Sequence, residues 1–199
     1  MTADYWNMNE AEIGKFFGGM RTDESDAFFH NYLVESHARM EALREEFQKS
    51  QATISAVLDF NPASLIPLWS WASGRLQKRQ WTEAEKPKND LRATPGWEIR
   101  DFRPFADQSL RLLGDVAYYF AEVFIRNHPG VSWEVCRIGD PDFADENQPV
   151  LSGFIVPMNP RTLLRVVAKK TFDHRVGELA LYDLYNTWVR NLVVVPPEN

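Results

Sequence analysis

Apolar positions return at helical spacing along several stretches of this chain. Between Asp23 and Ser50 they recur at alternating intervals of four and three, which predicts one long helix with a single apolar seam. The seam is about three heptads long, so a coiled-coil homodimer stays open, although packing within the chain is favoured. The residues of this seam are Phe29, Leu33, Ser36, Met40, Leu43 and Phe47.

Asn-Pro pairs mark the starts of two further helices. Asn61 and Asn159 are suitable N-caps, and the proline that follows each is tolerated at the first helical position. Because Pro67 lies within two turns of the first start, we expect that start to be bent or partly 3₁₀. The first helix should run to about Trp81 and turn five residues inward: Leu65, Leu68, Trp69, Ala72 and Leu76.

The widest apolar arc lies between Ala106 and His128, which predicts a helix that is buried on most sides. After Pro129-Gly130 the period changes. Residues 131–138 nearly alternate and residues 150–156 are largely apolar, which predicts a β-hairpin, extended by residues 193–195.

These elements predict an α+β fold in which about five helices surround a small antiparallel β-hairpin or sheet. A last helix is expected after Gly177, so the single domain would span residues 23–199. Residues 1–22 are interpreted as a weakly structured amino-terminal arm, whose Trp6, Phe16 and Phe17 could dock on the core. The proline-rich and charged residues 82–104 are interpreted as a surface loop anchored by Trp97.

Charge and composition narrow the function classes. The 199 residues include 22 basic and 28 acidic side chains, a net charge of −6, which argues against binding to nucleic acid. No run of about 18 apolar residues would span a membrane, and the amino terminus has no apolar segment of a signal peptide. The single Cys136 is typical of a reducing compartment. We therefore expect a cytoplasmic protein.

One narrow polar stripe runs along the otherwise apolar helix at 106–128. Its members follow each other at intervals of three or four and so share one face. The stripe could line a cleft, with Glu122 as acid, base or ligand and the arginines binding an anion, and with Trp133 beside it. The alternative, which we favour, is a solvated ladder of salt bridges. The stripe residues are Arg111, Asp115, Tyr118, Glu122 and Arg126.

Three other charged clusters are interpreted as solvated surface, although phosphate binding is a second reading of the basic one. An acidic group in the hairpin loop lacks the spacing of a calcium loop, and a docking site for a basic partner is the second reading. The sequence predicts no metal site and no cofactor, since phosphate-loop, dinucleotide and metalloprotease motifs are all missing. The clusters are Asp26, His30, His37 and Glu41; Asp140, Asp142, Asp145 and Glu146; and Arg161, Arg165 and Lys169.

Two segments carry a resemblance to other proteins. Residues 58–71, LDFNPASLIPLWSW, and residues 113–123, LGDVAYYFAEV, are followed by Gly130 and Trp133. Together they resemble uncharacterised small cytoplasmic proteins of actinobacteria, some of which sit in toxin–immunity contexts. The match departs at Ala121, where that pattern has glycine. The resemblance implies kinship of fold and draws attention to Glu122, because the pattern places a glutamate there.

Two hypotheses of function follow. The first is a non-enzymatic interaction protein, immunity-like in one version, whose acidic surface meets a basic partner. The second is an enzyme or small-ligand-binding protein that uses the cleft beside the polar stripe. Because no nucleophile, metal set or phosphate loop is recognisable, the sequence favours the first.

Overall fold

The computed structural model describes residues 5–8, 10–50, 56–80, 105–140 and 142–193. Within these ranges the chain forms six α-helices and a two-stranded antiparallel sheet, which confirms the mostly helical α+β class. The strands are β1 (Trp133–Val135) and β2 (Pro149–Leu151). The helices are α1 (Glu10–Gly18), α2 (Thr22–Ser50), α3 (Leu65–Ser73), α4 (Asp107–Asn127), α5 (Pro160–Phe172) and α6 (Ala180–Val189).

Helix α4 forms the centre of the fold. It packs against α2, α3 and α5, and its wide apolar arc is buried as predicted. Ala121, where the resembled pattern has glycine, is fully buried within this arc. Helices α2, α3 and α5 therefore cover most of α4, and its exposed positions include Arg111 and Arg126 of the polar stripe.

The buried face of α2 is partly offset from the predicted seam. Its carboxyl-terminal half follows the prediction, but in the amino-terminal half Phe28 and Tyr32 are buried while Phe29 and Leu33 are only partly so. An offset of one residue rotates a helical face by about 100°. The rotation brings the rings of Phe28 and Tyr32 within 6 Å of Tyr5, measured between centroids.

Both predicted Asn-Pro helix starts are confirmed. The side chains of Asn61 and Asn159 each accept a backbone N–H of the first turn. A 3₁₀ turn, Pro62–Ser64, precedes α3, as the nearby proline predicted. The expected helix to Trp81 is too long, because α3 ends at Ser73 where Gly74 follows. The five residues predicted to face inward from this segment are all buried.

The expectation of a weakly structured arm over residues 1–22 is wrong for the part of it that the structure describes. Residues 10–18 form α1, and Tyr5, Trp6, Ile13 and Phe17 are buried in the common core. The predicted docking by Trp6 and Phe17 is confirmed. The segment is ordered because it is rich in large apolar rings, which outweigh the breaking tendency of Gly18-Gly19.

Arg161, predicted to lie on a wet face of α5, is instead 1% exposed. Its Nη2 atom donates to the carbonyl of Met8 at 2.6 Å, its Nε atom donates to the carbonyl of Tyr5 at 3.3 Å, and its guanidinium lies over the Tyr5 ring. Arg165, half-buried one turn later, donates to the same Met8 carbonyl at 2.7 Å. The two arginines therefore fasten the amino-terminal segment to α5, and only Lys169 of the predicted stripe is well exposed.

The β-hairpin is shorter than the sequence suggests. Trp133 pairs with Leu151, and the ladder ends where Val135 pairs with Pro149. The extension at the carboxyl end is confined to isolated contacts, in which the Val193 amide donates to the carbonyl of Gly153. Residues 194–195 and the predicted loop with Trp97 lie outside the described residues.

Candidate functional site

Two residues of the polar stripe of α4, Arg111 and Asp115, line a cavity of about 540 Å³, but that cavity does not include the rest of the stripe. The members of the stripe separate into local arrangements, each with its own environment. Asp115 pairs with Arg39 of α2, whereas Glu122 pairs with Arg126 one turn later. Tyr118 is only 2% exposed, while Arg111 is at the surface. Because Asp115 and Glu122 are two turns apart, about 10 Å along the axis, the two carboxylates do not act on a shared centre.

Arg39 organises the first arrangement, and no sequence pattern singles it out. Its Nε atom donates to Asp115 Oδ1 at 2.5 Å and its Nη2 atom donates to the carbonyl of Arg111 at 2.8 Å. The same guanidinium lies over the ring of Tyr118, 5.6 Å from the ring centroid, and pairs with Glu35. One arginine thus joins α2 to three residues of the predicted stripe.

Asp115 has an altered protonation equilibrium. Burial raises the pKa of its carboxyl, the Arg39 guanidinium opposes this, Glu46 and Glu35 add smaller increases, and the net pKa is about 6. The carboxyl is therefore charged near neutral pH at a cost in free energy, and it titrates within the range of mildly acidic solutions.

We expect the stability contributed by Asp115 to fall as pH rises from about 4 to above 6. A carboxyl whose folded pKa exceeds its unfolded value binds more protons when folded, so the folded state loses its advantage as those protons leave. Relative to Asp115→Asn, the wild-type free energy of unfolding should drop by up to about 2–3 kcal/mol between pH 4 and pH 7. Urea unfolding across this range measures the difference.

Glu45→Gln, which removes an exposed carboxylate from α2, is the control for the change in net charge. A wild-type profile that stays parallel to the profile of Asp115→Asn would contradict the assignment.

The second arrangement joins α4 to the segment before α3. Arg126 Nε donates to Glu122 Oε1 at 2.7 Å, and the Arg126 guanidinium stacks on Phe60, 3.7 Å from the ring centroid. Arg44 of α2 lies over the same ring at 5.0 Å. The Glu122 side chain keeps 21% of its surface exposed, so it is neither a buried catalytic carboxylate nor a fully solvated one.

Glu122→Gln should fold normally and change the free energy of unfolding by less than about 1 kcal/mol, the scale of a partly exposed ion pair. Arg126 keeps its stacking contact with Phe60 in this variant, which limits the loss further. Thermal or urea unfolding checks the value. A loss of several kcal/mol would show that the carboxylate has a structural role that its exposure does not suggest.

The two sequence segments that carry the resemblance meet at Phe60 and Tyr119. The Phe60 amide donates to the Tyr119 hydroxyl at 2.8 Å, and that hydroxyl also lies 2.7 Å from Ser64 Oγ. Phe60 has a positive φ of 65°, which is strained for a bulky residue, and Asn127 Nδ2 holds its carbonyl at 2.9 Å. The contact is a structural joint between α4 and the start of α3.

Tyr118 and Trp133 belong to an aromatic cluster rather than to a cleft. Each packs against Tyr32, with centroid distances of 4.9 and 5.3 Å. Trp6 meets Tyr118 edge-on and lies over Gly114, where an added Cβ would be 2.7 Å from the indole ring. Burial raises the pKa of Tyr118 well above its ordinary value, so this hydroxyl stays protonated.

The acidic loop between β1 and β2 differs from the prediction in two residues. Glu146 is only 8% exposed, and its carboxylate accepts the backbone N–H groups of Ile138 at 2.8 Å and Gly139 at 3.2 Å. Asp145 is half-buried and accepts from Asn159 Nδ2 at 2.7 Å. These two carboxylates hold the loop together, Glu146 through backbone amides and Asp145 through the Asn159 side chain. Asp140 and Asp142 remain exposed, as expected.

The side chains that the loop presents outward include two large apolar ones. Ile138 is 55% exposed and Phe143 is 38% exposed, beside the exposed carboxylates of Asp140 and Asp142. The base of the loop is anchored by Asn147, whose Nδ2 atom donates to the carbonyl of Phe17 at 3.0 Å. An acidic and apolar surface is therefore carried on a well-connected loop.

The predicted face of Asp26, His30, His37 and Glu41 is exposed, as expected for solvated surface. Asp26 pairs with Arg137 across the fold. Within the described ranges, no group of three or more His, Cys, Asp or Glu side chains is placed to hold a metal ion.

Comparisons with protein-family models, with curated proteins and with solved structures find no match for this chain. The resemblance drawn from the two sequence segments therefore stays a prediction. Among the described helices, none is both long enough and apolar enough to cross a membrane.

Proposed function

We propose that this protein is a non-enzymatic interaction module that binds a basic protein partner through the loop between β1 and β2. Residues 136–148, which join β1 to β2, contain four carboxylates and a single arginine, against a net charge of −6 for the whole chain. That arginine, Arg137, is paired with Asp26. The loop is therefore a concentrated negative region, and such regions steer and orient cationic partners.

The observation that carries the proposal is the exposure of Ile138 and Phe143 within this negative region. Exposed charged side chains occur on any protein surface, but interfaces combine apolar or aromatic anchors with a charged rim. Phe143 is flanked in sequence by Asp142 and stands near Asp140, whose carboxylate accepts the Asp142 amide at 3.0 Å. A partner that offers an apolar pocket surrounded by lysine or arginine would match both features.

The internal bonds of the loop support the same proposal. Glu146 holds Ile138 and Gly139 by their amides, and the Asn147 amide donates to the carbonyl of Cys136 at 2.8 Å. A surface that is held in one conformation before binding loses less conformational entropy in the complex. The loop is thus suited to binding, with Glu146 and Asp145 holding its conformation and the exposed side chains left to contact a partner.

A library of displayed 12-residue peptides tests the proposal directly. Selection on the intact protein should enrich peptides that combine Lys or Arg with aromatic or aliphatic residues, and their affinity should fall with added salt. The variant Asp142→Asn/Phe143→Ser should weaken these peptides at least about tenfold, the effect of losing one interface anchor and one charge.

The matched control is Asp173→Asn/Leu179→Ser, which removes an exposed carboxylate and an exposed apolar residue elsewhere. It should leave the affinity unchanged. Selected peptides without basic residues, or peptides that bind both double variants equally, would overturn the proposal.

The immunity-like version of this function makes a narrower claim. The basic partner would be a toxin, and co-expression of this protein would protect a cell from it. Protection by the wild-type chain and by Asp173→Asn/Leu179→Ser, but not by Asp142→Asn/Phe143→Ser, would support this version. A toxin-like gene beside the gene for this chain would name the candidate to test.

A further inference from the structure

A cavity of about 700 Å³ opens between α1 and α2, away from the polar stripe of α4. Its apolar walls come from Phe16, Met20, Ala27 and Phe28, and the rings of Phe16 and Phe28 meet edge-to-face at 6.0 Å. Sites for small organic ligands have volumes of roughly 300–1,000 Å³ and are lined mainly by apolar groups. The size and lining suit a ligand with an apolar body.

The polar rim of the cavity indicates the charge of that ligand. Glu24 lines the rim, but its carboxylate already accepts the Arg21 amide at 2.9 Å and faces the Arg21 guanidinium at 3.5 Å. Lys15 lines the opposite helix and makes no ion pair with any described residue. Lys15 is therefore the cation among the lining residues, and it has no described ion-pair partner, whereas the Glu24 carboxylate is already held by Arg21.

We infer that this cavity binds an amphiphilic organic anion, a carboxylate on an unbranched apolar chain. The chain lies against Phe16, Met20 and Phe28, and the carboxylate meets Lys15 at the rim, with the amide of Asn31 as a further polar group. A charge-assisted contact of this kind is stronger than a contact between neutral groups. The site is separate from the loop that carries the proposed function.

Calorimetric titration with dodecanoate, kept below its micelle concentration, is the first measurement. Saturable binding of one molecule is expected, and the affinity should rise from octanoate to dodecanoate by up to about fourfold for each added methylene. Dodecyltrimethylammonium, which has the same chain and the opposite charge, should bind at least about tenfold more weakly.

Two pairs of variants separate the head group from the chain. Lys15→Met should weaken dodecanoate several-fold, whereas Lys49→Met, at an exposed lysine near the end of α2, should not. Ala27→Trp places a ring in the cavity from an exposed position and should abolish binding, whereas Ala38→Trp, exposed on the same helix, should leave it intact.

Methyl labelling of methionine gives a readout that is specific to the site. The Met20 methyl resonance should shift on titration, while those of the buried Met40 and Met158 should not. The inference is overturned if dodecanoate shows no saturable binding, if it binds Ala27→Trp as well as wild type, or if the cationic amphiphile binds equally well.

Discussion

Gly114→Ala is expected to destabilise the protein by about 1–3 kcal/mol, the usual cost of overpacking a filled core. The added Cβ would lie 2.7 and 2.8 Å from two carbons of the Trp6 indole, closer than real Cβ contacts allow. Helix α4 and the indole would have to move apart. The loss would occur although alanine is the better helix former by about 1 kcal/mol.

The sign of this effect should reverse when the indole is removed. Trp6→Ala alone should cost about 3–5 kcal/mol, because Trp6 is 1% exposed. In that background Gly114→Ala meets no indole, so the helix propensity of alanine remains and the change should stabilise by up to about 1 kcal/mol. Urea unfolding of the wild type, the two single variants and the double variant measures the effect of Gly114→Ala on stability with and without Trp6.

Gly14→Ala is the matched control for helix propensity. Gly14 lies in α1, and an added Cβ there meets nothing within 4 Å. Gly14→Ala should stabilise the protein both in the wild type and in the Trp6→Ala variant. If Gly114→Ala had the same effect with and without Trp6, the close approach of the indole to α4 would be contradicted.

Trp69→Ala should lower the free energy of unfolding by about 3–5 kcal/mol, the range for a buried aromatic residue. Trp69 is fully buried on α3, on the face that also carries Leu65 and Leu68. Its indole N–H makes no hydrogen bond within the described part of the chain, so Trp69→Phe should retain much of the stability. Thermal unfolding of both variants gives the comparison.

Ser70→Ala changes the exposed neighbour of Trp69 and should shift the melting midpoint little. An unchanged midpoint in Trp69→Ala would show that the indole does not support the core.

The elements with strong local patterns were predictable from the sequence. The wide apolar arc of α4 and the Asn-Pro starts of α3 and α5 depend on residues close together in the chain, and the structure places them as expected. The predicted inward residues of α3 are all buried, but the prediction omitted Trp71, which is 7% exposed. The predicted end of α3 is wrong, because the apolar spacing continues beyond Gly74 although the helix ends before it.

The errors arose where the partner is remote. The basic pattern predicts solvated surface at Arg161, since nothing nearby in the sequence indicates that it binds the carbonyl of Met8, 153 positions away. Arg39 escaped notice for the same reason, since Asp115 is 76 positions from it. Glu146 could have been suspected, since carboxylates in turns often accept nearby amides, but its burial depends on how the loop closes.

The candidate site was predictable only as a set of residues that share a helical face. The spacing of the stripe placed its members on one side of α4, but spacing says nothing about what covers that side. Helix α2 brings Arg39 to Asp115, and the segment before α3 brings Phe60 to Arg126. As a result, Asp115 and Glu122 belong to two separate ion pairs, and Tyr118 is buried.

Arg161 and Arg165, which fasten the amino-terminal segment to α5, are synthesised long after that segment. The donors to the Met8 carbonyl, Arg161 and Arg165, lie 153 and 157 positions later in the sequence. At ribosomal rates of 5–20 residues per second, the Met8 carbonyl and the Tyr5 ring stay without Arg161 for about 8–30 s during synthesis. This segment leaves the ribosome well before the arginines that fasten it, and a chaperone that binds exposed aromatic rings would find Tyr5 and Trp6 during that interval.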